Sequence, residues 1–109
     1  MSEQPWKNDN WFSSAWNFND EVTADLNFSD SIKIHDVTLR DGEQQTGVAF
    51  TFDDKIRIAE GLAEAGIHRI EAGLPAVSPD DFRAIAEIVK RDLGPEVYSF
   101  CRCMKGDID

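Results

Sequence analysis

From residue 31 onward, hydrophobic and polar positions alternate between short apolar runs and longer amphipathic segments. Residues 32–39 form a short run rich in β-branched side chains and ended by a glycine loop, which predicts a buried strand. Thr51-Phe-Asp-Asp54 offers a capping hydroxyl and places acids where a helix dipole favours them; Ile56, Ala59, Leu62 and Ala63 then follow at helical spacing. Gly66 suits a left-handed helix stop, and residues 67–72 read as a second short strand closed by Gly73 and Pro75. The unit repeats. Ser78-Pro-Asp-Asp81 is a helix start with Phe82, Ile85, Ile88 and Val89 as its buried stripe; Gly94-Pro95 ends it, and residues 97–101 form a third strand. Helices alternating with short buried strands imply a parallel sheet, here two and a half βα units. Asp107-Ile-Asp109 resembles the start of a third helix, so the pattern predicts a truncated domain rather than a complete small one.

Residues 1–30 follow a different pattern. Lys7 stands against six acids (Glu3, Asp9, Asp20, Glu21, Asp25, Asp30), yet this segment holds all three tryptophans, Trp6, Trp11 and Trp16, together with Phe12, Phe18 and Phe28. Acidic disordered tails are poor in aromatics, so this composition predicts an irregular arm that packs on its own domain or on a partner subunit. The tryptophan spacing fits neither a helix face nor a strand face, and no regular element is predicted. Asn8, Asn10, Asn17, Asn19 and Asn27 add turn character. The predicted division is an aromatic acidic arm, 1–30, and an α/β domain, 31–109.

Composition narrows the function classes. At 109 residues the chain has room for one domain with a modest core, and 41% hydrophobic content argues for folding. A net charge of −10 argues against nucleic acid as a partner. No apolar run approaches the roughly 20 residues needed to span a bilayer. The acidic N-terminus without an apolar core argues against secretion and for a cytoplasmic protein, with Cys101 and Cys103 reduced.

Chemistry concentrates where strands end. In Asp36-Val-Thr-Leu-Arg-Asp-Gly-Glu-Gln44 an arginine, two acids and an amide surround a glycine at the carboxyl end of the first predicted strand, the side on which parallel sheets bind ligands. Asp41 is a good ligand for Mg²⁺ or Mn²⁺, and Arg40 beside it can stabilise a developing oxyanion or enolate. Glu71, at the end of the second strand, can orient that arginine or act as acid or base. Gln44 is a candidate substrate contact. Glu43 offers a second carboxylate, as ligand, helix cap or solvated side chain. Arg102, between the cysteines, is a candidate for a substrate carboxylate. His35, inside a strand, reads as a satisfied core residue, and His68 as structural. Gly42 and Gly47 do not form a phosphate-binding pattern, which counts against a nucleotide enzyme.

These motifs, with Gly47-Val-Ala-Phe-Thr51 and Ile70-Glu-Ala-Gly-Leu-Pro75, resemble the start of the pyruvate carboxyltransferase-like (HMGL-like) or DRE-TIM metallolyase superfamily, over residue 32 to the end. That family comprises isopropylmalate, homocitrate and citramalate synthases and hydroxymethylglutaryl-CoA lyase. The resemblance implies the N-terminal portion of a TIM (β/α)8 barrel, a fold of roughly 250 residues. It implies Asp41 on a divalent metal (Mg²⁺, Mn²⁺ or Zn²⁺), Arg40 on enolate or alkoxide charge, Glu71 completing a triad, and Gln44 close to a 2-oxo acid. The implied reaction is a Claisen condensation of acetyl-CoA with that 2-oxo acid. Gly42-Glu-Gln44 is more like the synthases, since lyases usually carry leucine before the glutamine. Val37 departs mildly from the family threonine. The family's His-x-His metal ligands, from a later strand, are absent from these residues. The resemblance thus implies a chain inactive by itself, working as a homo-oligomer or with a completing chain. The alternatives are a carbon–carbon lyase or a non-catalytic partial barrel serving as an association module.

Overall fold

A computed structural model describes residues 4–108. The chain divides into two compact units, the first reaching to Ile32 and the second starting at Lys33.

The first unit holds more local order than its aromatic spacing predicts. Ser14 Oγ accepts from the Trp16 amide and opens a single 3-10 turn, Ala15–Phe18. Asn19 Oδ1 accepts from the Glu21 amide and caps α1, Asp20–Thr23. The absence of regular structure expected here is therefore corrected. The cause lies in capping side chains, which start a turn without help from apolar periodicity. Asn8 closes another turn by accepting from the amides of Asn10 and Trp11, and Trp6 lies 6.3 Å from Phe18 between ring centroids.

The second unit is a partial α/β fold. Its strands β1 (His35–Asp36), β2 (Arg69–Glu71) and β3 (Glu96–Tyr98) form a parallel sheet in that order, and helices α2 (Phe52–Glu64) and α3 (Pro79–Arg91) connect them. A short helix, α4 (Lys105–Ile108), follows β3; Asp109 of the predicted third helix lies outside the described residues. Ile56 and Ala59 from α2 and Ile88 from α3 join Leu39, Ile70 and Ala72 in one buried cluster, so both helices cover the same face of the sheet. A barrel keeps its helices in one outer layer and its strands in sequence order, and both hold here. The arrangement is that of an incomplete (β/α)8 barrel.

Each predicted element is present, with shifts at the edges. The β1 strand is far shorter than the predicted 32–39. The Asp36 carboxylate accepts from the Thr38 amide and hydroxyl (2.9 and 3.1 Å), and the Val37 carbonyl accepts from the amides of Arg40, Asp41 and Gly42. Those bonds turn the chain out of the sheet one residue after Asp36. Helix α2 begins as predicted, on a reciprocal capping box between Thr51 and Asp54. It ends in a Schellman motif: the Ile67 amide reaches the Leu62 carbonyl and the Gly66 amide reaches that of Ala63, with Gly66 at φ +79°. In α3 the buried stripe runs through Ala84, Ile85 and Ile88, while Phe82 and Val89, assigned to it from sequence, are 62% and 57% exposed. Phe82 lies two positions from Ala84, about 200° around the helix, so both cannot face the sheet. The helix stops at Asp92, which takes the left-handed conformation two residues before the predicted Gly94.

The other face of the sheet is polar. Residues flanking the buried Ile70 point away from the helices, and there Arg69 pairs with Glu96 (3.0 Å) and His35 with Glu71 (3.2 Å). Tyr98 Oη donates to Glu96 (2.8 Å), and Lys33 lies 3.6 Å from the same carboxylate. Among the described residues no helix is long and apolar enough to cross a membrane.

Candidate active site

The turn after β1 carries most of the candidate chemistry. Since three amides converge on the Val37 carbonyl, residues 37–42 coil tightly and lead into a 3-10 turn, Gly42–Gln44. Leu39 is buried beneath this coil and anchors it to the core. Arg40 is thereby aimed at the end of β2, where its Nε donates to Glu71 Oε1. Its Nη1 lies 3.1 Å from Asp41 Oδ1, and its guanidinium sits over the Phe100 ring at 5.3 Å. Arg40, Asp41 and Glu71 are thus brought together across two strand ends.

Glu71 is held by two partners, Arg40 and His35. Burial pushes its carboxyl up, but the hydrogen bonds from Arg40 and His35 outweigh this and hold it below its ordinary value. His35 is therefore not the core residue its sequence position suggested. In a strand this short the ring stands on the open face, with Nε2 at 3.2 Å from Glu71 Oε2 and Tyr98 5.5 Å away between centroids. His68 is structural, its Nδ1 accepting from the Ile34 amide at 3.0 Å.

A cavity of about 390 Å³ opens beside the triad, walled by Arg40, Glu43 and Gln44 from the first loop, Gly73, Leu74 and Val77 from the second, and Asp81 from α3. Gln44 accordingly faces the same space as Arg40. Arg102 does not line it: its backbone amide, Nε and Nη2 all bond the Asp107 carboxylate, at 3.1, 2.7 and 2.9 Å. Cys101 and Cys103 are free and exposed.

Glu43 is neither a helix cap nor solvated. It accepts from the Phe50 amide (3.1 Å) and from Lys55 Nζ (2.9 Å), and Lys55 also pairs with Asp81. Sequence reading missed Lys55 and Asp81. The signal was available, because Lys55 lies four residues before the buried Ala59 and so on the apolar stripe of α2.

Burial pushes the Asp81 carboxyl up, yet bonds from Lys55 and Ser78 hold it below its ordinary 3.8. Burial pushes the Lys55 ammonium down, yet Asp81 and Glu43 hold it above 10.5. A carboxyl depressed by folding adds stability that is lost as pH falls through its folded value. A lysine raised by folding adds stability that is lost as pH rises through its folded value. The contribution of this pair to the denaturation midpoint should therefore be level between these limits and fall below pH 3.8 and above pH 10.5. An Asp81→Asn/Lys55→Met variant should flatten both limbs, and limbs as steep as those of the parent would exclude this pair as their source.

The donor set falls short of a metal centre. Asp41 is 65% exposed and offers one hard oxygen ligand, and among the described residues no three His, Cys, Asp or Glu side chains are gathered to hold an ion.

Comparison with known proteins accords with this geometry. The HMGL-like family profile matches residues 31–109. The homocitrate synthase of Methanothermobacter thermautotrophicus is 46% identical over 92 residues, covering 84% of this chain and 23% of that protein. The 2-isopropylmalate synthase of Pyrococcus furiosus is 47% identical over 78 residues, covering 72% and 16%. The chain spans about a fifth of the length of the curated relatives it matches. With the strand-end triad, the one-sided helical layer and this similarity taken together, the chain belongs to the HMGL-like family.

Proposed function

We propose that this chain contributes the first strands of an acyltransferase site at which acetyl-CoA condenses with a 2-oxo acid, and that it is inactive alone. The observation that carries this reading is the Arg40–Glu71 pair beside the open Asp41 carboxylate, with Arg40 lining the same cavity as Gln44. Glu71 and the Phe100 ring fix the guanidinium before any ligand arrives, so little reorganisation is needed when it meets negative charge. Gln44 can donate its amide to an oxo-acid oxygen within the cavity. Asp41 is one ligand of a divalent-cation site that the described residues do not complete. Arg102, if released from Asp107, is a second carboxylate contact. Substrate selectivity and the remaining ligands come from further barrel strands outside these 109 residues, with a homo-oligomer or a completing chain as the proposed assembly. Residues 1–30 are an arm for that association. A cytoplasmic setting suits the two free thiols.

Titration with pyruvate, followed by NMR at the Gln44 side-chain amide and Arg40 Nε, tests the binding half of this reading. Both signals should shift, and Arg40→Ala should weaken binding roughly 10- to 100-fold, the scale of a lost charged hydrogen bond. Unshifted signals would refute it. Loss of thioester absorbance from acetyl-CoA with pyruvate should not exceed the blank, and turnover by monodisperse material would overturn the claim of inactivity.

A further inference from the structure

Among the described residues Lys55 is the one charged residue buried as a whole, and its position works against its own helix. It stands in the first turn of α2, where the helix dipole disfavours a cation, and its residue surface is 5% exposed. Two carboxylates from separate elements compensate for both costs. Glu43, in the turn after β1, meets Nζ at 2.9 Å with one oxygen and accepts the Phe50 amide at 3.1 Å with the other. Asp81, in the first turn of α3, meets Nζ with one oxygen and the Ser78 hydroxyl at 2.5 Å with the other. A continuous chain of bonds therefore runs from Phe50 through Glu43, Lys55 and Asp81 to Ser78. No buried side-chain polar atom among the described residues lacks a partner, so this network is fully satisfied.

Glu43 and Asp81 also line the cavity that Arg40 and Gln44 face, side by side on the one ammonium. We infer that Lys55 is a positioning residue, which fixes the first loop against the start of α3 and so sets the width and the order of that cavity. It touches no reacting group and acts through Glu43, whose neighbour Gln44 carries the ligand contact. A single central cation suits this role. It neutralises one of two carboxylates that would otherwise repel each other at close range and repel an anionic ligand in the cavity they line. The ligand class rests on the function proposed above, while the clamp itself does not.

Amide hydrogen exchange on the whole chain separates the two. Lys55→Met/Glu43→Gln/Asp81→Asn strips the bridge without stranding a buried charge, and Glu43→Gln alone weakens only the link to the first loop while keeping an acceptor for Phe50. In both variants the Phe50 and Gln44 amides should exchange roughly tenfold faster, while the core amides of Ala59 and Ile70 keep the parent rate. In the triple variant pyruvate affinity should fall at least as far. Unchanged loop exchange in either variant would overturn the inference, as would loop and core amides accelerating together, which marks a general stability effect. Should the triple variant not fold, Glu43→Gln still decides by the same comparison. Absence of pyruvate binding to the parent would refute the proposed function and leave the exchange result to judge the clamp.

Discussion

Ile70→Ala is expected to unfold much of the second unit at ordinary temperatures. Ile70 is fully buried, pairs with Asp36 on one side and Val97 on the other, and packs into the cluster shared by α2 and α3. Truncating such a side chain costs about 2–5 kcal/mol, since the cavity left behind collapses only in part. A loss of roughly 3 kcal/mol lowers the melting temperature of a unit this size by roughly 12–24 °C. The unit has few buried large side chains, Leu39, Ile70 and Ile88 being the largest fully enclosed, so little can compensate. Val89→Ala, on the exposed side of α3, is the control and should stay within about 0.5 kcal/mol of the parent. Circular dichroism melts of the two variants decide, and comparable midpoints would refute the placement of Ile70 at the centre of the core.

Lys55→Ala should produce the second large loss. It removes the ammonium from between Glu43 and Asp81 and opens a cavity beneath α2, leaving two carboxylates facing each other. Breaking one side of a buried ion pair costs about 3–5 kcal/mol, and partial solvent access to both carboxylates places this case near the lower end. The two losses should respond differently to acid. At a pH low enough to protonate both carboxylates, much of the Lys55→Ala penalty should disappear, whereas the Ile70→Ala penalty should not. Urea midpoints at neutral and acid pH measure both, and equal penalties at the two pH values for Lys55→Ala would show that the cavity, not the charge, governs its cost.

Those two residues also mark what could be read from the sequence. Ile70, the caps at Thr51 and Ser78, and the glycine stop at Gly66 are local features whose physics lies within a few neighbouring residues, and their elements were predicted. The strand-end cluster was legible for the same reason: Arg40 and Asp41 are adjacent in sequence, and Glu71 ends the next strand. The rest depends on contacts between distant residues. Lys55 was overlooked because a lysine on an apolar stripe looks like an interruption until Glu43 and Asp81 are seen to surround it. His35 was misplaced because β1 is two residues long, which turned an interior strand position into an open one. Arg102 has its partner, Asp107, five residues on and beyond the end of β3, outside the strand-end pattern. In the first unit the short helices follow from single capping side chains, which a search for apolar periodicity passes over.

The charged face of the sheet bears on behaviour at high concentration. Exposed flat sheets become hazardous when two of them laminate and expel the water between, the step that leads toward fibrils. Here lamination would dehydrate Lys33, Arg69, Glu71 and Glu96 together, at several kcal/mol for each ion. The ion pairs that knit the strands side by side thus also make this face resistant to dry stacking.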